Sequence, residues 1–94
     1  MTAAPVDRWI ITAHAKFEMD RRGLDEALVR QILEAPEQRW SLRPGRDVLH
    51  SRVRAGEPAR TYLVRVIVDV DRTPPEVVTA YRTSRMAKYW REEP

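Results

Sequence analysis

The ten residues "TYLVRVIVDV", Thr61 to Val70, constrain the fold more than any other stretch of the chain. They are β-branched and apolar at odd and even positions alike, the composition of a strand in the middle of a sheet. Arg65 interrupts the run. A guanidinium inside such a strand must find a partner or open onto a cleft. A salt bridge to Glu18 or Asp69, exposure on an open sheet face, and a place in a binding site are the three readings of it.

The segments around this strand order themselves by period and punctuation. "QRWSLR" from Gln38 reads as a strand closed by Pro44-Gly45. "RDVLHSRVR" alternates, with Val48, His50, Arg52 and Arg54 on one face and Leu49, Ser51 and Val53 on the other. Gly56 to Pro58 marks a hairpin turn, Thr73-Pro74-Pro75 a second, and "EVVTAY" the last strand. Two helices precede the strands. Thr12 caps the first, and Gly23 ends it as a left-handed residue. Asp25 caps the second, Leu24 and Val29 are spaced as a hydrophobic staple, and Leu28, Val29, Ile32 and Leu33 form its apolar stripe. Ala35-Pro36 stops it. "SRMAKYWRE" reads as a closing helix with Ser84 as its cap. The expected fold is α+β: two N-terminal helices packed on a three- to four-stranded antiparallel sheet, with a short C-terminal helix, in one domain over residues 1–94.

The chain has 94 residues and no cysteine, which excludes a disulfide framework and a thiolate metal site. No apolar run approaches the roughly 20 residues of a membrane span, and the first residues do not read as a signal peptide, so the expected location is the cytoplasm. Net charge is only +3, but it is unevenly spread. Residues 39–65 hold seven arginines against Asp47 and Glu57, and residues 82–91 add Arg82, Arg85, Lys88 and Arg91. Such a patch suits a polyanion, nucleic acid first among them. The bland alternative is that 15 arginines against two lysines reflect a GC-rich genome. Phosphate-loop glycines, HExxH, GxSxG and Cys/His clusters are all absent, so neither a metal nor another cofactor is expected.

These residues resemble a bacterial family, the one catalogued as domain of unknown function 4258. The resemblance rests on His14-Ala15, Met19, Arg22, Gly23 and Leu24 in the first helix and turn. It continues through Ile32, Leu33 and Pro36, then Gly45-Arg46, and finally Val77, Thr79, Tyr81, Thr83, Ser84, Arg85, Lys88, Tyr89 and Trp90. It spans Ile11 to Trp90, with Glu18 standing where the family has arginine before the methionine. The layout is also similar to small toxins of the RelE, ParE and BrnT type. That likeness implies a metal-independent endoribonuclease of a toxin–antitoxin system, with RNA as substrate and a cognate antitoxin as partner. Other members of the same layout are not ribonucleases, so a non-catalytic nucleic-acid- or protein-binding module is the alternative. A purely structural interaction domain is the third reading.

RNA cleavage without a metal needs a proton acceptor, cationic phosphate stabilisers and a proton donor. His14, with Ala13 and Phe17 suggesting the buried side of its helix and Glu18 one turn on, is the candidate proton-transfer group. Its bland reading is a hydrogen-bonding helix histidine. His50 reads as a solvated surface residue. Arg65 and Arg85 are the candidate catalytic cations, and Arg46, Arg82, Thr83, Ser84 and Lys88 the candidate substrate contacts. A helix capped by Ser84 would present the N–H groups of Arg85, Met86 and Ala87 to an anion. An ordinary capped amphipathic helix with a basic outer side fits most of the same residues.

Overall fold

The computed structural model describes residues 2–92. Strand β1 (Ile10–Ile11) leads into helices α1 (Ala13–Arg21) and α2 (Glu26–Glu34). Four longer strands follow, β2 (Gln38–Arg43), β3 (Arg46–Ala55), β4 (Arg60–Asp69) and β5 (Glu76–Thr83), then the one-turn helix α3 (Met86–Tyr89). The sheet order is β1-β5-β4-β3-β2, so the apolar strand β4 is central.

Local chemistry accounts for the helix ends. The Thr12 hydroxyl accepts the Ala15 N–H at 3.1 Å while donating to the Val77 carbonyl at 3.1 Å, so one side chain both caps α1 and ties it to β5. Asp25 accepts the Ala27 N–H at 3.0 Å and caps α2. Gly23 takes φ 67° between the helices, where a side chain would be strained.

Alternation then sorts the sheet into two faces. Val64, Val66 and Val68 of β4, Leu49 of β3 and Val77 and Ala80 of β5 join Ala15, Met19, Val29, Ile32 and Leu33 in one core under the helices. Leu63, Arg65 and Ile67 of β4, together with Val48 and His50 of β3, point to the opposite face and are also buried. Burial on both sides is what the apolar residues at odd and even positions of β4 required.

Three expectations need correction. The sheet has five strands and is mixed, because β1 pairs parallel with β5, Ile10 opposite Glu76 and Ile11 opposite Val77. Two residues are too few to show a period, and a parallel pair joins segments far apart in sequence. The closing helix spans only four residues, with Arg85 rather than Ser84 at its N-cap and no side-chain cap. Finally, the buried side of α1 is Ala15 and Met19; Ala13 and His14 are exposed, and Phe17 is 64% exposed.

Candidate functional site

Four polar side chains form one line across the sheet face away from α1 and α2. The strand registers put Gln38 opposite His50, His50 opposite Arg65, and Arg65 opposite Tyr81. Directly opposed residues share a face at about 5 Å spacing, so this rung brings the four side chains into contact. The His50 Nε2–H donates to the Gln38 Oε1 at 2.8 Å. The Arg65 Nε donates to His50 Nδ1 at 3.3 Å, and its Nη1 donates to the Tyr81 hydroxyl at 2.8 Å. This pattern assigns His50 the neutral tautomer with its proton on Nε2.

Aromatic rings roof the row. Arg65 lies 4.1 Å from the Tyr89 ring centroid and 5.8 Å from those of Trp40 and Tyr81. Trp40 meets His50 edge-on at 4.9 Å, and Trp90 stacks on it at 5.7 Å and 19°. Two more guanidiniums lie on the outer rings, Arg52 at 4.2 Å from Trp90 and Arg91 at 3.8 Å from Trp40. Trp40, Tyr81, Tyr89 and Trp90 are each half-buried, so their rings reach the surface. The tail is pinned by Gln38, whose amide accepts the Arg91 N–H at 3.1 Å and donates to the Arg91 carbonyl.

Charge explains the protonation states. Burial and the adjacent Arg65 guanidinium push the His50 pKa down to about 4, so the ring is neutral at physiological pH. Burial pushes the Tyr81 phenol up. The Lys88 ammonium holds the Tyr89 phenol below its usual range, with a smaller push from Arg65. Arg65 itself is 4% exposed and, among the described residues, has no carboxylate within salt-bridge distance. Its charge is offset by ring faces and neutral acceptors alone.

Neither salt bridge weighed for Arg65 forms: both carboxylates bind other arginines, and Glu18 sits on α1, on the other side of the sheet. Asp69 binds Arg46 through two hydrogen bonds, at 2.6 and 3.1 Å, which hold its carboxyl below the usual range. Glu18 binds Arg21 at 2.7 Å and Arg22 at 3.0 Å rather than His14. Arg22 in turn donates to the Thr79 hydroxyl and the Ala80 carbonyl, tying the end of α1 to β5. The basic stretch is therefore partly neutralised: Arg39 pairs with Asp47, Arg46 with Asp69 and Arg52 with Glu37.

The structure brings together few of the residues singled out in the sequence. Arg65 is at the centre of the row, Lys88 beside its Tyr89 roof, and Thr83 one rung from Tyr81 on the same face. His14 projects from α1, which packs on the other side of the sheet. Arg82 also points to the helix side, 5.1 Å from the Tyr62 ring. Arg46 is committed to Asp69. At the strand-to-helix junction, the Arg85 N–H bonds the Thr83 hydroxyl and the Met86 N–H bonds the Ser84 carbonyl, so neither is left for an anion. Arg85 and Ser84 are exposed.

The larger miss was His50, which is fully buried rather than solvated; Gln38 and Trp40 were given no role in the site. A signal for His50 did exist. The turn at Gly56 sets Ala55 opposite Arg60, and five steps back along one strand and forward along the other place His50 opposite Arg65. Nothing comparable indicates the docking of the tail on Gln38.

Among the described residues no group of three or more His, Cys, Asp or Glu is placed to hold a metal ion, and no helix is long and apolar enough to cross a membrane. Comparison with curated proteins and with solved structures gives no match. A family model does match residues 11–82, from within β1 to one residue short of the end of β5, leaving the roofing tail outside the matched region. With three quarters of its length covered, this chain belongs to the family described as a domain of unknown function, DUF4258.

Proposed function

We propose that this protein binds single-stranded RNA on the sheet face opposite its two helices. The observation that carries the reading is Arg65, a buried guanidinium with no carboxylate partner among the described residues, set among half-buried aromatic rings. Removing a charge from water without a counter-charge is costly, so a fold that keeps one there is suited to an anion supplied from outside. Arg54 and Lys88 are exposed, Arg54 on the same face and Lys88 on the roof; Arg91 lies over Trp40, and Arg52, paired with Glu37, lies over Trp90. Cations that follow a phosphate backbone, interleaved with rings on which bases stack, are what single strands need. The test is binding of a fluorescent single-stranded RNA by the purified protein at increasing salt. The affinity should fall linearly on a log–log plot as counterions are released. Arg65→Met should weaken it about tenfold or more. Binding that ignores salt, or that survives Arg65→Met unchanged, would refute the reading.

A metal-independent ribonuclease of the toxin type is the second reading, and one observation favours it. The Tyr89 phenol, held below its usual range by Lys88, lies over Arg65 with Tyr81 hydrogen-bonded to the same guanidinium. A phenol in that setting is a proton-transfer candidate next to a phosphate stabiliser. Both nitrogens of His50 are already bonded, and His14 lies on the other side of the sheet. On this reading Tyr89→Phe, and not His14→Ala, abolishes cleavage of the RNA in the same samples.

A further inference from the structure

The tail holds Trp90 in a way that can be compared with a ligand in a slot. Its indole lies nearly parallel to the neutral His50 ring and in contact with the flat guanidinium of Arg52. At the same place the Gln38 amide offers one acceptor and one donor, and the Arg91 backbone N–H and carbonyl use both. A planar π surface beside a paired donor and acceptor is also what an unpaired nucleobase presents, and a glutamine amide reads such an edge with two hydrogen bonds.

We propose that His50, Arg52 and Gln38 form a nucleobase slot, which Trp90 and Arg91 of the chain itself occupy in the free protein and which an RNA base takes over on binding. This rests on the RNA-binding reading and adds to it a site, a ligand group and a built-in competitor. Two observations argue that the tail is a competitor and not a fixed part of the wall. Its helix is a single turn with no side-chain cap. Trp90 is the last residue held by that helix, through its N–H to the Met86 carbonyl at 2.8 Å, and its own backbone is already extended at φ −76° and ψ 128°. The slot suits a neutral base because His50 is neutral: burial and Arg65 keep its proton off Nδ1, which accepts from Arg65 instead.

A self-occupied site binds with its intrinsic affinity reduced by the fraction of molecules whose tail is released. Weakening the tail therefore strengthens the ligand, the opposite of what happens when a stacking platform is removed. The experiment measures binding of a labelled single-stranded oligouridylate to full-length wild type, Trp90→Ala, and Trp90→Ala combined with Gln38→Ala. Trp90→Ala should bind about tenfold tighter than wild type, and adding Gln38→Ala should reverse most of that gain. Amide exchange on the wild type gives a second measurement that needs no variant to fold. Saturating oligouridylate should speed exchange of the Arg91 N–H as the tail leaves Gln38.

If wild type binds RNA but Trp90→Ala binds equally or more weakly, the slot is refuted and the RNA-binding face stands. Slower Arg91 exchange in the complex would refute it in the same way. If no variant binds, both proposals fall. Binding by Trp90→Ala alone would support the slot and show wild type to be fully occluded.

Discussion

Acidification should destabilise this protein at a pH where its carboxylates are not yet involved. His50 is fully buried, and its pKa is pushed down from an ordinary 6.5 to about 4 by burial and by Arg65. The unfolded chain therefore takes up a proton near pH 6.5 that the folded chain refuses until about pH 4. A group whose folded pKa is depressed in this way costs the folded state stability as pH falls between the two values. Over pH 7 to pH 5 the loss works out at about 2 kcal/mol, approaching about 3 kcal/mol by pH 4. Urea unfolding at a series of pH values measures it; with a slope of about 1–2 kcal/mol per molar, the midpoint should drop by about 1–2 M from pH 7 to pH 5. Glu18, Glu37 and Asp69 have lowered pKa values, so the stability they add is lost only below their unfolded pKa values, near pH 4 and under. The control is His50→Gln, which keeps a donor and an acceptor at the position but cannot be protonated. Its midpoint should stay nearly flat from pH 7 to pH 5. Parallel curves for the two proteins would show that His50 is not the buried neutral group described, and the tautomer assigned to the row would be wrong with it.

Arg65→Met should change the unfolding free energy by less than about 1 kcal/mol, because relief of a buried unpaired charge offsets the lost bonds to His50 and Tyr81. A loss above about 3 kcal/mol in urea unfolding would make Arg65 a structural residue. His14→Ala, at an exposed helix position, should alter stability by no more than about 0.5 kcal/mol and leave RNA affinity unchanged in the anisotropy assay. Gly23→Ala and Gly45→Ala, at φ 67° and 82°, should each cost about 1–2 kcal/mol from left-handed backbone. The Asp71 carboxylate stands where a Gly45 Cβ would go, but it is exposed and free to swing aside, so thermal melts of the two variants should nearly agree.

Much of the fold was legible because its signals are short-ranged. Thr12, Gly23, Asp25 and the α2 stripe act on neighbours within about one helical turn, and each performs the expected task. The four long strands came from alternation, from the apolar run of β4 and from turn residues, all again local. Of the site, only Arg65 was legible at its centre, with Lys88 and Thr83 beside it. Arg65 was conspicuous because a charge in an apolar run violates a local rule, while His50 beside Arg52 and Arg54 on an alternating strand violated none. The same blindness placed His14 on the wrong side of α1: Ala13, His14 and Phe17 fit one helical face as well as Ala15 and Met19 fit another, and only packing against β5 selects between them.

The sequence by itself determined the central strand, the caps of α1 and α2, the turns and the α+β class, since each depends on residues a few positions apart. Tertiary structure alone decided the row from Gln38 to Tyr81, because four strands must be in register before those side chains meet. It decided which arginines are free as well. The seven between residues 39 and 65 form one basic stretch in sequence, yet Arg39, Arg46 and Arg52 are neutralised by carboxylates while Arg65 is left among rings. Charge in a sequence is a count, but Coulomb energy depends on distance and on access to water, and both are set only when distant segments pack.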